Sequence, residues 1–207
     1  MKHLLLIPLL AATLPCIIGD ATQLVYDTDG HELISNSSYY VLPVERGVGG
    51  GLTKSYQWRR CNFLVLQMRN EAKVGMAVRI EPLNASISDP VAVHLSTNVK
   101  ISFDVITVCA EPMYWHVSDL PPFSTSQPRQ FIAVGKDEGA EMPSPPSPDM
   151  LFRIERNNGA MKGYKLVSCI GTEPCKYLGL HAFKKENWLT TSASPFVVVF
   201  KKGHMYA

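Results

Sequence analysis

Apolar residues along the chain fall in short runs, separated by polar breaks rich in Gly, Pro, Asn, Asp and Ser. The runs recur about every ten to fifteen residues and none carries a convincing helical period, so the pattern predicts an all-β chain with many turns. The clearest alternation is at 99–108, where Val99, Ile101, Phe103 and Val105 take every second position. That is the mark of a strand with one face buried. Further runs predict strands at 63–68, 77–80, 91–95, 114–117, 131–134, 152–155, 164–167, 177–183, 188–190 and 196–200. Asn157-Asn158-Gly159 lies between two of these runs and predicts a hairpin. Glycines at 47 and 49–51 predict a flexible bend, and the proline-rich stretch 135–149 predicts a loop without core-forming residues. Similar aromatic or apolar strands begin near Tyr39, Ile101 and Tyr164. Their spacing of roughly sixty residues is compatible with a three-fold β architecture. The pattern alone does not choose between a trefoil and a sandwich.

Residues 25–43 read as a strand, a turn and a second strand. Asp27, Asp29 and Gly30 bend the backbone, because Asp side chains bond their own main chain and Gly accepts a positive φ. Asn36, Ser37 and Ser38 make a second polar break. Tyr39, Tyr40, Val41 and Leu42 then favour extended structure, and Pro43 limits it.

Composition refines this picture. The chain has 207 residues, of which 46% are hydrophobic and 18% charged, which suits one globular domain over 22–207. A net charge of +2 without a long charge run gives no nucleic-acid footprint. Residues 1–21 read as a secretory signal: Lys2 and His3 precede an apolar run, and Gly19 or Ala21 offers a small residue for cleavage. Pro8 and Pro15 break that run, which is also shorter than the roughly 20 residues a membrane span needs. The expected location is therefore extracellular, or a storage vacuole reached through the secretory pathway.

Removal of the signal takes Cys16 and leaves Cys61, Cys109, Cys169 and Cys175, an even number in an oxidising compartment. Three pairings are possible. Cys169 and Cys175 enclose Gly171 and Pro174, so a local bridge is the natural choice and Cys61–Cys109 follows. Chain-entropy estimates give about 4 kcal/mol for the long loop and about 2 kcal/mol for the short one. The cysteines lack C-x-x-C spacing and a paired histidine cluster, so no metal site is expected. Sequons at Asn36 and Asn84 are candidate glycosylation sites.

Enzyme chemistry finds no foothold. There is no Gly-x-Ser-x-Gly elbow, no His-Glu-x-x-His helix and no phosphate-cradling loop. His31, His94, His116, His181 and His204 are scattered, and pairs such as Asp27 with Asp29 fall in turns. No catalytic residue and no cofactor is expected.

Val25, Asp27, Asp29, Gly30, Leu33, Tyr39 and Val41 together resemble the opening signature of the plant Kunitz-type (soybean trypsin inhibitor-like) protease inhibitors. Gly49-Gly50-Gly51-Leu52-Thr53, Phe152-Arg153-Ile154-Glu155, the block from Tyr164 to Cys169 and the block from Pro195 to Phe200 also look like family blocks, and the four cysteines sit in the family order. A narrower likeness, at 26–33, 94–103 and 198–202, is to the cereal bifunctional α-amylase/subtilisin inhibitors. The resemblance implies a monomeric β-trefoil with pseudo-three-fold symmetry that occludes the active site of a hydrolase.

It also implies two sites. The loop matching the family's protease-binding loop is residues 81–90, with Pro82, Leu83, Asn84, Ala85, Ser86 and Ile87 at its centre. Asn84 falls where trypsin-directed members carry Arg or Lys, so a subtilisin-like protease is the expected partner. A glycan on Asn84 would obstruct such docking. On the second face, Ser96 and Lys165 match amylase contacts of the cereal branch, whereas Tyr177 and Ser194 stand where that branch has acids. The rival reading is a binding or storage protein without inhibitory activity on the same fold.

Overall fold

The computed structural model describes residues 23–55, 61–83, 85, 89–105, 113–118, 129–135, 146–170 and 174–203. In chain order the strands are β1 (Ser38–Pro43), β2 (Leu52–Lys54), β3 (Phe63–Gln67), β4 (Ala77–Pro82), β5 (Asn98–Phe103), β6 (Met113–Val117), β7 (Ile132–Val134), β8 (Phe152–Asn157), β9 (Gly163–Ser168), β10 (Lys176–Phe183), β11 (Glu186–Ser192) and β12 (Val198–Lys202). A single 3-10 turn, Pro148–Met150, is the one helical element among the described residues.

Six strands close into a ring, each antiparallel to its neighbours: β1 to β4, β4 to β5, β5 to β8, β8 to β9, β9 to β12, and β12 back to β1. Closure follows from alternation. Each ring strand turns alternate apolar residues inward: Tyr39 and Val41, Val78 and Ile80, Val99 and Ile101, Phe152 and Ile154, Tyr164 and Leu166, Val198 and Phe200. All twelve pack in one cluster. The remaining strands form three antiparallel pairs, β2 with β3, β6 with β7 and β10 with β11. These pairs join one another through β3 with β7, β3 with β11 and a bridge from Phe131 to Thr190. Where they meet, Leu64, Phe131, Ala133 and Trp188 bury a second, smaller cluster.

Most predicted strands are present, with shifted ends. The alternating stretch that begins at Val99 stops at Phe103, and residues 106–112 lie outside the described set. The strand expected at 91–95 is reduced to isolated bridges, Ala92 to Ile34 and His94 to Leu24. The first strand of the 25–43 stretch is likewise a set of bridges rather than a continuous ladder. Its acids do act as turn formers: Asp27 Oδ1 accepts the backbone N–H groups of Asp29 and His31, both at 2.9 Å. The last strand runs from Val198 to Lys202 instead of 196–200.

The glycines at 49–51 serve close approach rather than looseness. A Cβ on Gly50 would stand 2.1 Å from the Lys73 carbonyl oxygen, and one on Gly51 would stand 1.9 Å from that of Val74. Cys169 and Cys175 are bridged as expected. Cys61 is also disulfide-bonded, and its expected partner Cys109 lies outside the described residues, as do residues 1–22.

The turn between β10 and β11 carries a local cost. Phe183 pairs with Glu186, which leaves Lys184 and Lys185 as a two-residue loop, with φ of 49° and 64°. Two positive values are the requirement of a type I′ hairpin, which Asn-Gly satisfies and lysine does not. Replacing the pair by Asn-Gly (Lys184→Asn with Lys185→Gly) is expected to stabilise the fold by about 1 kcal/mol. In a domain of this size thermal denaturation should register the change as a rise of roughly 2–4 °C.

Candidate functional site

The loop from 82 to 90 springs from the end of β4. Pro82 is the last registered residue of that strand, opposite Val99 of β5. Leu83 then donates its N–H to the Asn98 carbonyl at 3.3 Å, and Ala85 donates to the Pro82 carbonyl at 3.0 Å. Leu83 is 41% exposed, so an apolar side chain stands out from a backbone tied at its root. Asn84, Ser86 and Ile87 lie outside the described residues.

The departing limb is held as firmly, by the N-terminal stretch. Ser35 is buried and meets Val91 twice: its N–H donates to the Val91 carbonyl at 2.9 Å, and its Oγ accepts the Val91 N–H at 3.1 Å. Val93 follows with a bond to the Leu33 carbonyl at 2.8 Å. Sequence reasoning placed Ser35 in no role. Its partner is 56 residues away, and a serine carries no periodicity that would announce such a contact.

The outer face of the barrel below this loop is lined with polar pairs. Arg79 Nη2 lies 3.0 Å from Asp104 Oδ1. One step nearer the loop, Lys100 Nζ lies 3.1 Å from Glu81 Oε2, and the Tyr114 hydroxyl donates to the same oxygen at 3.0 Å. Lys100 also stands over the Tyr114 ring, 4.8 Å from its centroid. Burial by itself would lower the Lys100 pKa. The hydrogen bond to Glu81 and the pull of the Tyr114 and Glu81 charges outweigh it, and Lys100 holds its proton above the ordinary 10.5. Burial, foremost, and the Glu81 charge raise Tyr114 above its ordinary 10.0, with Lys100 pulling the other way.

Ser96 and Lys165, the two amylase-face candidates, are joined by a residue that the sequence reading passed over. Ser96 sits at φ 59°, with its N–H on the Ile154 carbonyl at 2.9 Å. Its Oγ donates to Glu155 Oε2 at 3.0 Å. Glu155 in β8 faces Lys165 in β9, and Lys165 Nζ stands 5.0 Å from the centre of the Tyr177 ring. Thr97 closes the turn by donating from Oγ1 to the His94 carbonyl at 2.8 Å. Ser96, Glu155, Lys165 and Tyr177 lie in one row, with Glu155 and Lys165 adjacent by strand register. Tyr177 thus meets Lys165 through its π face where the cereal branch is expected to have an acid. Beyond Tyr177 lies an open cleft whose walls include Arg129, Lys176, Thr191 and Ser192.

The histidines do other work. His181 lies between Phe131 and Phe183, edge-on to the first at 6.4 Å and stacked on the second at 6.3 Å. Burial and the Arg129 charge lower its pKa. His31 is exposed beside Asp27 and Asp29, whose ligand atoms and its own gather within 4.8 Å. Asp27 Oδ1 is already engaged there by the two backbone N–H groups of the turn. Asn36, the first sequon, is exposed in a turn closed by Ser37 N–H on the Ile34 carbonyl at 3.0 Å.

The profile of the legume Kunitz family, described as trypsin and protease inhibitor, matches residues 25–202. The chain belongs to this family. A rice (Oryza sativa subsp. japonica) protein named alpha-amylase/subtilisin inhibitor is 39% identical over 96% of this chain and 93% of its own length. A barley (Hordeum vulgare) protein of the same name is 38% identical over 86% of this chain and 85% of its own. The solved structure of the rice bifunctional alpha-amylase/subtilisin inhibitor superposes with a TM-score of 0.69 at 36% identity. That superposition covers 88% of this chain and all of the rice chain.

The raised pKa values fix a direction. Each group keeps its proton more tightly in the folded state, so the stability it adds is complete below its ordinary value and is lost as pH rises through the folded one. Tyr114→Phe removes the titrating hydroxyl, so its thermal midpoint should gain on that of the unmodified protein as pH rises above about 10. Midpoints measured across pH 7–11 for both proteins check this.

Proposed function

We propose that this Kunitz-family chain is a secreted, monomeric inhibitor that occludes the active site of a hydrolase, with a subtilisin-like serine protease as its leading target. In this reading the fold is a β-trefoil: the closed ring of six strands is its barrel and the three antiparallel pairs are its cap. A second disulfide joins Cys61 to Cys109, and residues 1–21 are the signal removed on secretion. The observation that carries the reading is the loop at 82–90, tethered at both roots and exposing Leu83. Roots held in place before docking reduce the conformational entropy lost on binding. The stretch 81–90 contains neither Arg nor Lys, so it offers no cation to a trypsin pocket, whereas Leu83, Asn84 or Ala85 suits a subtilisin-like enzyme, which accepts small and apolar residues. The names of the rice and barley relatives agree with this target. The same reading requires that Asn84 be left without a glycan.

α-Amylase is the second target, on the strip of Ser96, Glu155, Lys165 and Tyr177. The relatives' names and the placing of those residues in one row favour it, and the missing acids at Tyr177 and Ser194 weigh against it. Losing one member of an interfacial charge pair costs about 2–5 kcal/mol.

The deciding experiment is titration of the mature protein against subtilisin, trypsin and a cereal α-amylase, with its glycan mass measured on the same sample. Stoichiometric loss of subtilisin activity with trypsin unaffected is expected. Leu83→Gly combined with Ala85→Gly should weaken subtilisin inhibition by about thirtyfold or more, the loss typical of a central interface anchor. Lys165→Ala should leave subtilisin inhibition intact and weaken amylase inhibition about tenfold. Silence against all three enzymes would favour the storage-protein alternative.

A further inference from the structure

We propose that Glu81, Lys100 and Tyr114, together with the Asn98–Arg153 hydrogen bond, form a brace that holds the entering limb of the 82–90 loop in its binding conformation. They are positioning residues for inhibition, and the inference rests on the reading of that loop as the protease-binding segment.

The brace follows from alternation. In β4, Val78 and Ile80 point into the core while Arg79 and Glu81 point outward. In β5, Val99 and Ile101 are core and Asn98 and Lys100 lie on the outer face. Glu81 and Lys100 are register partners, so their side chains meet outside the barrel. Tyr114 reaches the same carboxylate oxygen from β6, the strand beyond β5. The residue immediately before Pro82 is thus gripped by two neighbouring strands. On the other side of Pro82, the Leu83 N–H bonds the Asn98 carbonyl. Arg153 Nε in turn donates to Asn98 Oδ1 at 2.9 Å. Pro82, whose ring fixes its own φ, is therefore pinned through both neighbours.

Stability alone gives little reason for this arrangement. The β4–β5 ladder already registers five residue pairs, from Val78 with Phe103 to Pro82 with Val99. The Glu81 and Lys100 side chains retain 29% and 23% of their exposure, and such partly solvated pairs contribute little to folding. Preordering an exposed loop is a different matter, because freedom removed in advance is not lost at docking. Charged groups placed at the root of the loop, outside the core, suit the second role better than the first.

The test combines two readouts on the intact protein. Amide hydrogen exchange of the free inhibitor at Leu83 and Ala85 reports the order of the limb without any target. Subtilisin association and dissociation rates report its consequence. Glu81→Gln and Tyr114→Phe should each speed exchange at both amides, raise the subtilisin dissociation rate by about tenfold and leave association within about twofold. Single charge reversals, Glu81→Lys or Lys100→Glu, should do the same or more. The double reversal should recover much of the loss, because the Tyr114 hydroxyl can accept as well as donate. Exchange unchanged in every variant overturns the brace whatever the target. Faster exchange with unaltered inhibition overturns its role in binding. If the unmodified protein leaves subtilisin active, the reading of the loop itself fails, and the exchange data still decide whether the brace exists. Should Glu81→Gln fail to fold, Tyr114→Phe, which removes one oxygen only, carries the same comparison.

Discussion

Closure of the six-stranded ring is the constraint on which the rest of the molecule depends. An open sheet of these strands would leave two rows of unpaired N–H and C=O groups at its edges. Joining β12 to β1 removes both. Closure demands that each strand send its alternate side chains to one shared interior, and the pairs from Tyr39 and Val41 to Val198 and Phe200 do this all around the ring. Once the interior is filled, the outward positions are released from packing. They become the places where Arg79, Glu81, Asn98, Lys100, Arg153 and Glu155 can be arranged for another purpose.

A rigid ring also changes what its loops can do. Loops that join fixed strand ends have their termini placed for them, and only their interior remains to be ordered. Here the ordering continues past the strands. The N-terminal stretch lies against 91–93 through Ser35 and Leu33, and β5 receives Leu83 on the other limb. Residues far apart in sequence thus converge on the two roots of one loop. The stiffness belongs to the scaffold, while the identity of the exposed side chain remains free to vary.

The parts of this that were legible in the sequence are those with a local signal. Alternation at Val99, Ile101 and Phe103 announced a half-buried strand, and the Asp27, Asp29 and Gly30 turn followed from side-chain chemistry alone. The short loop between Cys169 and Cys175 pointed to its own bridge. What escaped lacks such a signal. Ser35 meets Val91, and Glu81 meets Tyr114 across 33 residues, through register that only the folded sheet creates. Glu155 reads in sequence as any outward strand residue, and only the fold brings Ser96 onto it. The glycines at 49–51 looked like slack because glycine has the same letter whether it supplies freedom or merely the absence of a Cβ. The break after Phe183 was legible, but the positive φ values of Lys184 and Lys185 were not, since lysine opposes the backbone it adopts there.

β5 is the element that both candidate faces share. The Asn98 carbonyl serves the 82–90 loop on the β4 side, and its side chain takes Arg153 on the β8 side. Ser96, two residues before Asn98, turns toward β8 and β9 to reach Glu155 and, through it, the Lys165 strip. The two candidate faces therefore stand on opposite edges of one strand and meet at Asn98. The contact of the Lys165 ammonium with the Tyr177 ring lies apart from the contacts that hold Leu83. Contacts made by Lys165 and contacts made by Leu83 can therefore change separately, except at Asn98, whose carbonyl and side chain link the two edges.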